Sequence, residues 1–521
     1  MTSDITALLG IDISTTGAKA VLINVNGEVL AAAATTYPLL TPQAGWTEQV
    51  PEAWWDATVA SVQEVLSRSG LEGRAVAAVG LTGQMHGLVP LDRHGQVLRP
   101  AILWNDQRTA DECRWITDCV GAGRVLQLTG NPVLTGFTAP KLLWMRRHEP
   151  DVYARIAHIL LPKDFPRYRL TGELVTDVAD ASGTSLFDVG SRTWSADMLE
   201  ALEIPVSWLP QVTESPVISG AITAEAAAVT GLASGIPVVA GAGDQAAQAV
   251  GTGVVRSSTA AVTIGTSGVV FAHLDAMQVD PLGRTHTFCH GVPGRWHIMG
   301  VMLSAGGALR WLRDSLSDSA WRRDGVDPYD LMTAEAAAIP AGSEGLVFLP
   351  YLTGERTPHA DPFARGAFIG LSLRHRRAHF VRAVMEGVAM GLRDSMEILK
   401  TIGIPVRQVR ISGGGARSSL WRQILADVLD MELVTVTSTE GAAYGAALLA
   451  GVGCGVFNSV EAACDGAIGL VDRIIPEPAA RPVYRNLYTF YISMYPSLKE
   501  VMHSLGKPRD PAPRTRSSPW S

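Results

Sequence analysis

Two aspartates in this chain each close an apolar run and border a small-residue turn: Asp12 after "LLGI" and Asp244 after "VVAGAG". A carboxylate at a strand end can hold a hydrated divalent cation or accept the proton of an attacking hydroxyl. Asp12 leads into the turn "STTG", and a turn of like composition, "GTSG", spans residues 265–268. Backbone N–H groups and hydroxyls in such turns cradle phosphoryl oxygens. Each feature also has an ordinary explanation. Asp244 could cap the helix "QAAQAV", and Asp12 could satisfy its own turn. Two strand-end carboxylates together with two hydroxyl-rich turns suit phosphate and Mg²⁺.

Other stretches could join them. "GGGARSS" (413–419) lets a ligand approach the backbone at a helix start, or is simply a tight strand-to-helix turn. "GQMHG" (83–87) puts Met85 and His86 in a loop after a strand, where a lone histidine is commonly a satisfied polar residue. "LWNDQRTADE" sets Asn105, Asp106 and Arg108 after another strand, with a helix cap and surface charges as the competing reading. Gly241, Gly243 and Ala246 fit the dinucleotide spacing G-x-G-x-x-[G/A]. Yet no acid ends the next strand to hold a ribose, and Asp244 would repel a pyrophosphate at the helix N-terminus. A P-loop is excluded, because no G-K-[ST] occurs.

The elements that must position these residues alternate between strand and helix. "GIDISTTGAKAVL" is a strand–turn–strand unit, since Asn26-Gly27 turns the chain again directly after it. "TIGTSGVVFA" repeats the design, which hints at two related halves joined near residue 255. "PEAWWDATVASVQEVLSRSG" reads as an amphipathic helix opened by Pro51. "QVRISGGGARSSLWRQILADVL" is a strand, a glycine loop and a helix, and "GAAYGAALLAG" is a small-residue helix suited to close packing. The last stretch, "KPRDPAPRTRSSPWS", has the composition of a disordered tail.

Composition bounds the function. With 521 residues, two domains or more are expected; 47% apolar and 18% charged residues suit a compact α/β protein. A net charge of -7 gives no basic footprint for nucleic acid. The start, "MTSDITALLG", lacks a basic leader, and no run is long and apolar enough for a membrane span. Cys113, Cys119, Cys289, Cys454 and Cys464 are scattered without C-x-x-C spacing, so zinc and a disulfide framework are not expected and a reducing cytoplasm is.

These motifs in combination resemble the FGGY carbohydrate kinases of the actin-like ATPase superfamily, over roughly residues 8–490 and with the xylulokinase branch nearest. The likeness rests on the two hairpins, on "ISGGGARSSLWRQILADVL", on "GFTAPKLLW" (136–144) and "GERTPHADPFARGAFIGLS" (354–372), and most specifically on "GQMHG", "AILWND", "LLPKD" and "GAGD". It implies two ribonuclease H-like α/β domains around a cleft: a sugar-binding half over residues 1–254, a nucleotide-binding half over 255–490, and an extension from 491 to 521. It implies ATP-dependent phosphorylation of D-xylulose at its terminal hydroxyl, with Asp244 as general base and Mg²⁺ held by Asp12, through water, and Asp244. Thr15, Thr16 and Lys19 would line the first phosphate turn, Gly265, Thr266 and Ser267 the second. Gly413, Gly414, Gly415 and Ala416 would border the nucleotide, and Met85, His86, Asp244 and Gln245 the sugar. The partners so implied are a ketopentose and ATP, with no nucleic acid and no membrane, and related enzymes often form homodimers.

Two positions depart from the xylulokinase pattern. Gln245 follows the implied base where Asn is common, and Gln107 stands where Gly is often seen. An added methylene at 245 moves a hydrogen bond and can change which pentulose fits, so a kinase of ribulose or of another ketose or polyol is the alternative. Further rivals are an actin-like nucleotide switch and a sugar sensor or repressor. "GQMHG" and "FTAPKLLW" argue against the first, and the retained Asp12 and Asp244 against the second.

Overall fold

The structure, a computed structural model, describes residues 7–316, 321, 324–437 and 440–506. The Pro/Arg-rich tail lies outside the described residues.

The first sheet is built from β1 (Ala7–Ile13), β2 (Gly17–Asn24), β3 (Val29–Thr36), β4 (Val76–Gly83), β5 (Ile218–Ala221) and β6 (Pro237–Val239) in the order β5-β6-β4-β1-β2-β3. Strand β1, "ALLGIDI", is apolar almost throughout because both of its faces are covered. It runs antiparallel to β2 and parallel to β4. The two-residue strand Ala242–Gly243 also pairs with β4, on the side away from β1. Helix α1 (Pro51–Ser69) has proline in its first turn and ends at Gly70 in the left-handed region, as its sequence requires.

The second sheet follows the same plan. Its strands are β7 (Ser258–Ile264), β8 (Gly268–Leu274), β9 (His286–Cys289), β10 (Trp296–Met302), β11 (Val406–Ser412), β12 (Leu433–Val436) and β13 (Leu470–Ile474), ordered β9-β10-β8-β7-β11-β12-β13. Set β7 upon β1 and β11 upon β4, and parallel and antiparallel neighbours coincide outward from the centre in both directions. Only β9 has no counterpart in the first sheet.

The helices used below are α2 (Thr138–His148), α3 (Asp244–Gly251), α4 (Gly306–Leu316), α5 (Arg377–Thr401), α6 (Ser419–Leu429), α7 (Gly441–Gly453) and α8 (Arg481–Gly506). Small residues decide how the halves join. A Cβ on Gly10 would lie 1.8 Å from the Ala443 carbonyl oxygen, and one on Gly80 would lie 2.1 Å from that of Ala446. Helix α7, late in the chain, therefore lies directly on the first sheet, and Gly445 brings it equally close to Ala247 of α3. The sequence suggests an extension beginning at residue 491, but α8 runs unbroken across that point. Its Tyr491 and Tyr495 are buried in the second core.

Among the described residues no helix is long and apolar enough to cross a membrane.

Candidate active site

The two aspartates meet through β4. Asp12 is level with Thr82 on one side of that strand, and Ala242 is level with Thr82 on the other, two residues before Asp244. Helix α3 begins at Asp244, with Gly243 as its N-cap, so Asp244 is the first helical residue and not the cap. Both acids are half-buried. Burial pushes Asp12 up to about 6, against the pull of Lys19. Burial, with the charge of Asp12 added to it, pushes Asp244 up to about 7, while the Gln245 backbone and side chain hydrogen-bond its carboxylate and oppose the shift. Asp12 Oδ1 has no hydrogen-bond partner among the described residues. Two mutually repelling carboxylates, one with an oxygen left unpartnered, are surroundings in which a hydrated divalent cation is welcome. No cluster of three or more metal-ligating side chains occurs among the described residues, so such an ion would take its other ligands from water and phosphate.

Next to them the loop after β4 presents Met85 and His86. Met85 is buried against Gly243, where a Cβ would come within 2.8 Å of its Cγ. His86 adopts φ 70, a conformation uncommon outside glycine. It is held there by Lys141 Nζ and Thr138 Oγ1 of α2, which donate to its carbonyl at 2.7 and 3.0 Å. Its Nδ1 faces the Gly183 carbonyl at 2.7 Å. A carbonyl can only accept, so Nδ1 carries the proton and Nε2 is left as an acceptor for a ligand hydroxyl. Burial lowers the ring to about 3, which keeps it neutral. The ring stacks on Phe137 at 4.5 Å.

Gln84 belongs to the same loop, and links it to the first turn. Thr15 Oγ1 donates to Gln84 Oε1 at 3.2 Å and accepts from Trp104 Nε1 at 3.0 Å, so this hydroxyl serves the loop wall. Thr16 is exposed, and the N–H groups of Thr16 and Gly17 donate to Ser14 Oγ. Lys19 pairs with Glu440, beside the start of α7, at 2.5 Å. Asn105, Asp106 and Arg108 do not join the aspartates: Arg108 is buried in an ion pair with Asp106 at 2.7 Å and lies 3.8 Å over the Trp46 ring, and Asn105 accepts from Thr47 Oγ1. They are neither a helix cap nor surface charges: Asp106 and Arg108 form a buried structural pair, and the helix that follows is capped at Thr109.

The second turn and the triple glycine lie on one cavity of 380 Å³, lined by Gly265, Thr266, Gly414 and Gly415 among others. Ser267 and Ala416 flank it without lining it. Gly413, at φ 86, would with a Cβ come 2.5 Å from the Ile264 carbonyl oxygen, and Gly415 would come as near to the Ile264 Cγ2. The carbonyls of Gly265 and Thr266 accept from the N–H groups of Gly306 and Ala305 at the start of α4, which fixes the turn's shape. Arg310, Tyr329, Arg417 and Trp421 complete the wall. No motif in the sequence singles out the first two, and the last two are readable only as part of the glycine-loop segment.

The chain also has known relatives. Residues 7–251 match the FGGY family of carbohydrate kinases, N-terminal domain, and residues 260–454 match its C-terminal domain. A xylulose kinase of Escherichia coli (strain K12) is 44% identical over 85% of this chain and 89% of its own length. That of Bacillus subtilis (strain 168) is 37% identical over 96% and 98%. The crystal structure of a xylulose kinase from Rhodospirillum rubrum superposes with a TM-score of 0.88 at 35% identity, covering 95% of this chain and all of that one.

Proposed function

Since the chain belongs to the FGGY family of carbohydrate kinases, we propose that it transfers the γ-phosphoryl group of ATP to the terminal hydroxyl of D-xylulose, giving D-xylulose 5-phosphate and ADP. The observation that carries this reading is the convergence of Asp244 and Asp12 on β4, one step from the neutral His86. The xylulose kinases at 44% and 37% identity support the choice of sugar.

In this reading Asp244 is the general base. It orients the sugar hydroxyl and accepts its proton as the new P–O bond forms, and a folded-state value of about 7 keeps it basic enough for the task near neutral pH. His86 Nε2 accepts from a second hydroxyl, Met85 gives an apolar wall, and Gln245 offers its amide. Gly265, Thr266, Ser267, Gly413, Gly414, Gly415 and Ala416 border ATP on one side, and Thr15, Thr16 and Lys19 belong to the opposite phosphate turn. Asp12, through water, and Asp244 would hold Mg²⁺, which supplies charge compensation for the phosphates. The sugar half ends and the nucleotide half begins near residue 255. Five free cysteines accord with a reducing cytoplasm, and the assembly expected is a homodimer, which sedimentation would check.

The testing experiment is ADP release with a panel of ketopentoses, ketohexoses and polyols, with wild type beside Asp244→Asn. D-xylulose should give the highest kcat/KM, and the variant should lose turnover while still binding nucleotide. A higher kcat/KM with ribulose or a polyol would move the assignment to that substrate. No sugar-stimulated release at all would remove the kinase reading.

A further inference from the structure

The segment carrying "GERTPH" comes from the second half, yet one of its side chains bears on the loop that holds His86. Its backbone is tightly pinned. Glu355 Oε1 accepts the N–H groups of Leu303 and Arg356 at 2.9 and 2.8 Å. Thr357 exchanges hydrogen bonds with Val301 of β10, accepting from its N–H at 3.0 Å and donating to its carbonyl at 2.9 Å. The Arg356 guanidinium between them is half-buried and has no ion-pair or hydrogen-bond partner among the described residues. Lys141, also close to His86, already donates to two carbonyls, of His86 and Gly136, and burial pushes its ammonium well below the usual lysine range. A half-buried guanidinium without a partner among the described residues keeps its donors free for a ligand.

Its surroundings say what it could meet. Thr357, the next residue, donates its Oγ1 hydrogen to the Arg284 carbonyl at 2.8 Å, which sets Arg356 beside the start of β9 and His286, and its charge acts on both His286 and His86. The rings of His86 and Phe288 are 6.0 Å apart, as are those of Phe137 and His286, so both halves contribute to one aromatic wall. His286 Nδ1 lies 3.0 Å from Asn131 Oδ1, while the Asn131 amide nitrogen donates to the carbonyls of Thr129 and Thr287. Nδ1 is therefore the donor, and His286 Nε2 is a buried acceptor without a partner. This corner thus offers two imidazole acceptors, both suited to hydroxyls, and one planar cationic donor.

We infer that Arg356 contacts the acceptor substrate and reads its oxo oxygen, selecting 2-ketoses over the corresponding polyols from the half of the chain that binds nucleotide. The inference rests on the sugar-kinase reading above. A ketose has a planar acceptor between hydroxylated carbons, which a guanidinium matches. A polyol offers only alcohols at that position, so it gains less from the cation.

The test compares wild type, Arg356→Gln and Arg356→Lys. KM and kcat for D-xylulose are measured with the inhibition constant of xylitol, the KM for ATP and the melting temperature. The expected result for Arg356→Gln is a rise of about tenfold or more in KM for D-xylulose. Xylitol inhibition and the ATP KM should stay within about twofold, with partial recovery in Arg356→Lys, since a lysine keeps the charge and loses the fork. Equal weakening of D-xylulose and xylitol, an effect confined to ATP, or an unchanged D-xylulose KM would each overturn the inference. Wild type that fails to turn over D-xylulose would overturn the parent reading as well, so the two failures are distinguishable.

Discussion

At matching places in the two sheets, the chain puts Asp12 near the end of β1 and Thr263 near the end of β7. The neighbours are also matched: Thr82 on β4 is level with Asp12, and Ser412 on β11 is level with Thr263. The chemistry is opposite. Thr263 and Ser412 satisfy each other, hydroxyl to hydroxyl, at 2.9 Å, whereas Asp12 keeps an oxygen without a partner. One frame, used twice, thus holds an unsatisfied charge in the first half and a quiet polar pair in the second. The loops that follow diverge in the same sense. After β4 come Met85 and His86, side chains that can tell one sugar from another, and after β11 come three glycines that can only offer backbone. On the function proposed here, the first half would do the chemistry and the second would hold its donor.

The sharpest break in that comparison is Asp244→Asn. If the first half carries the chemistry, kcat should fall by about 10³-fold or more, within the range for loss of a general base. Nucleotide affinity, read by calorimetry with ADP in the absence of Mg²⁺, should change by less than about twofold, because the substitution leaves the second half untouched. Comparable losses in both would mean that the division of labour is wrong.

Asp12→Thr makes the first half a copy of the second at that position. The loss in kcat should be smaller, on the order of 10²-fold, and should be partly recovered by raising Mg²⁺, since Asp244 and the phosphates would still be available to the ion. Activity insensitive to Mg²⁺ concentration in this variant would remove Asp12 from the metal's surroundings.

For the nucleotide half the informative pair is Gly415→Ala against Gly414→Ala. A Cβ at 415 would meet the Ile264 side chain at 2.5 Å, whereas at 414 there is nothing within 4 Å. Gly415→Ala should therefore raise the ATP KM about tenfold by moving the turn, with the sugar KM unchanged. Gly414→Ala should leave the fold intact and alter ATP binding only if ligand fills that space. Equal behaviour of the two would show that the glycines act through chain flexibility and not through room.

Much of this was legible in the sequence because it is local. The two hairpins, the strand-end aspartates and the glycine loop each lie within about twenty residues, where turn chemistry and alternation speak directly. The sequence also offered wrong company, and "NDQR" shows why. A carboxylate, an amide and a guanidinium after a strand look like a site until Trp46 and Glu48, from a distant segment, are seen to absorb Arg108. What stayed hidden was long-range. Nothing local says that α7 will cover the first sheet, that Asn131 will bind the carbonyl of Thr287 across the halves, or that Arg356 will bear on His86. Periodicity reports which face of an element is buried, but not which distant segment buries it.

The smallest effect concerns stability, and it has an unusual sign. Asp12 and Asp244 are both harder to ionise in the folded chain than in the unfolded one, chiefly through burial. Their protonated forms therefore favour the fold. That contribution is complete below the ordinary carboxylate value and is lost as pH rises through about 6 for Asp12 and about 7 for Asp244. Above neutral pH the ligand-free wild type is thus working against two confined charges. Asp244→Asn, expected to be nearly inactive, should make the ligand-free protein more stable, by on the order of 1–2 kcal/mol or a few degrees in melting temperature near pH 8. The gain should shrink steadily as pH falls toward about 3, below the ordinary carboxylate value, where both carboxyls are largely protonated in either state. It should shrink also when Mg²⁺ and ADP are added at neutral pH, because a bound cation stabilises the ionised wild type and has less to hold in the variant. A variant no more stable than wild type at high pH would mean that the two aspartates are better solvated than their enclosure suggests. The contrast with the satisfied Thr263–Ser412 pair would then rest on geometry alone.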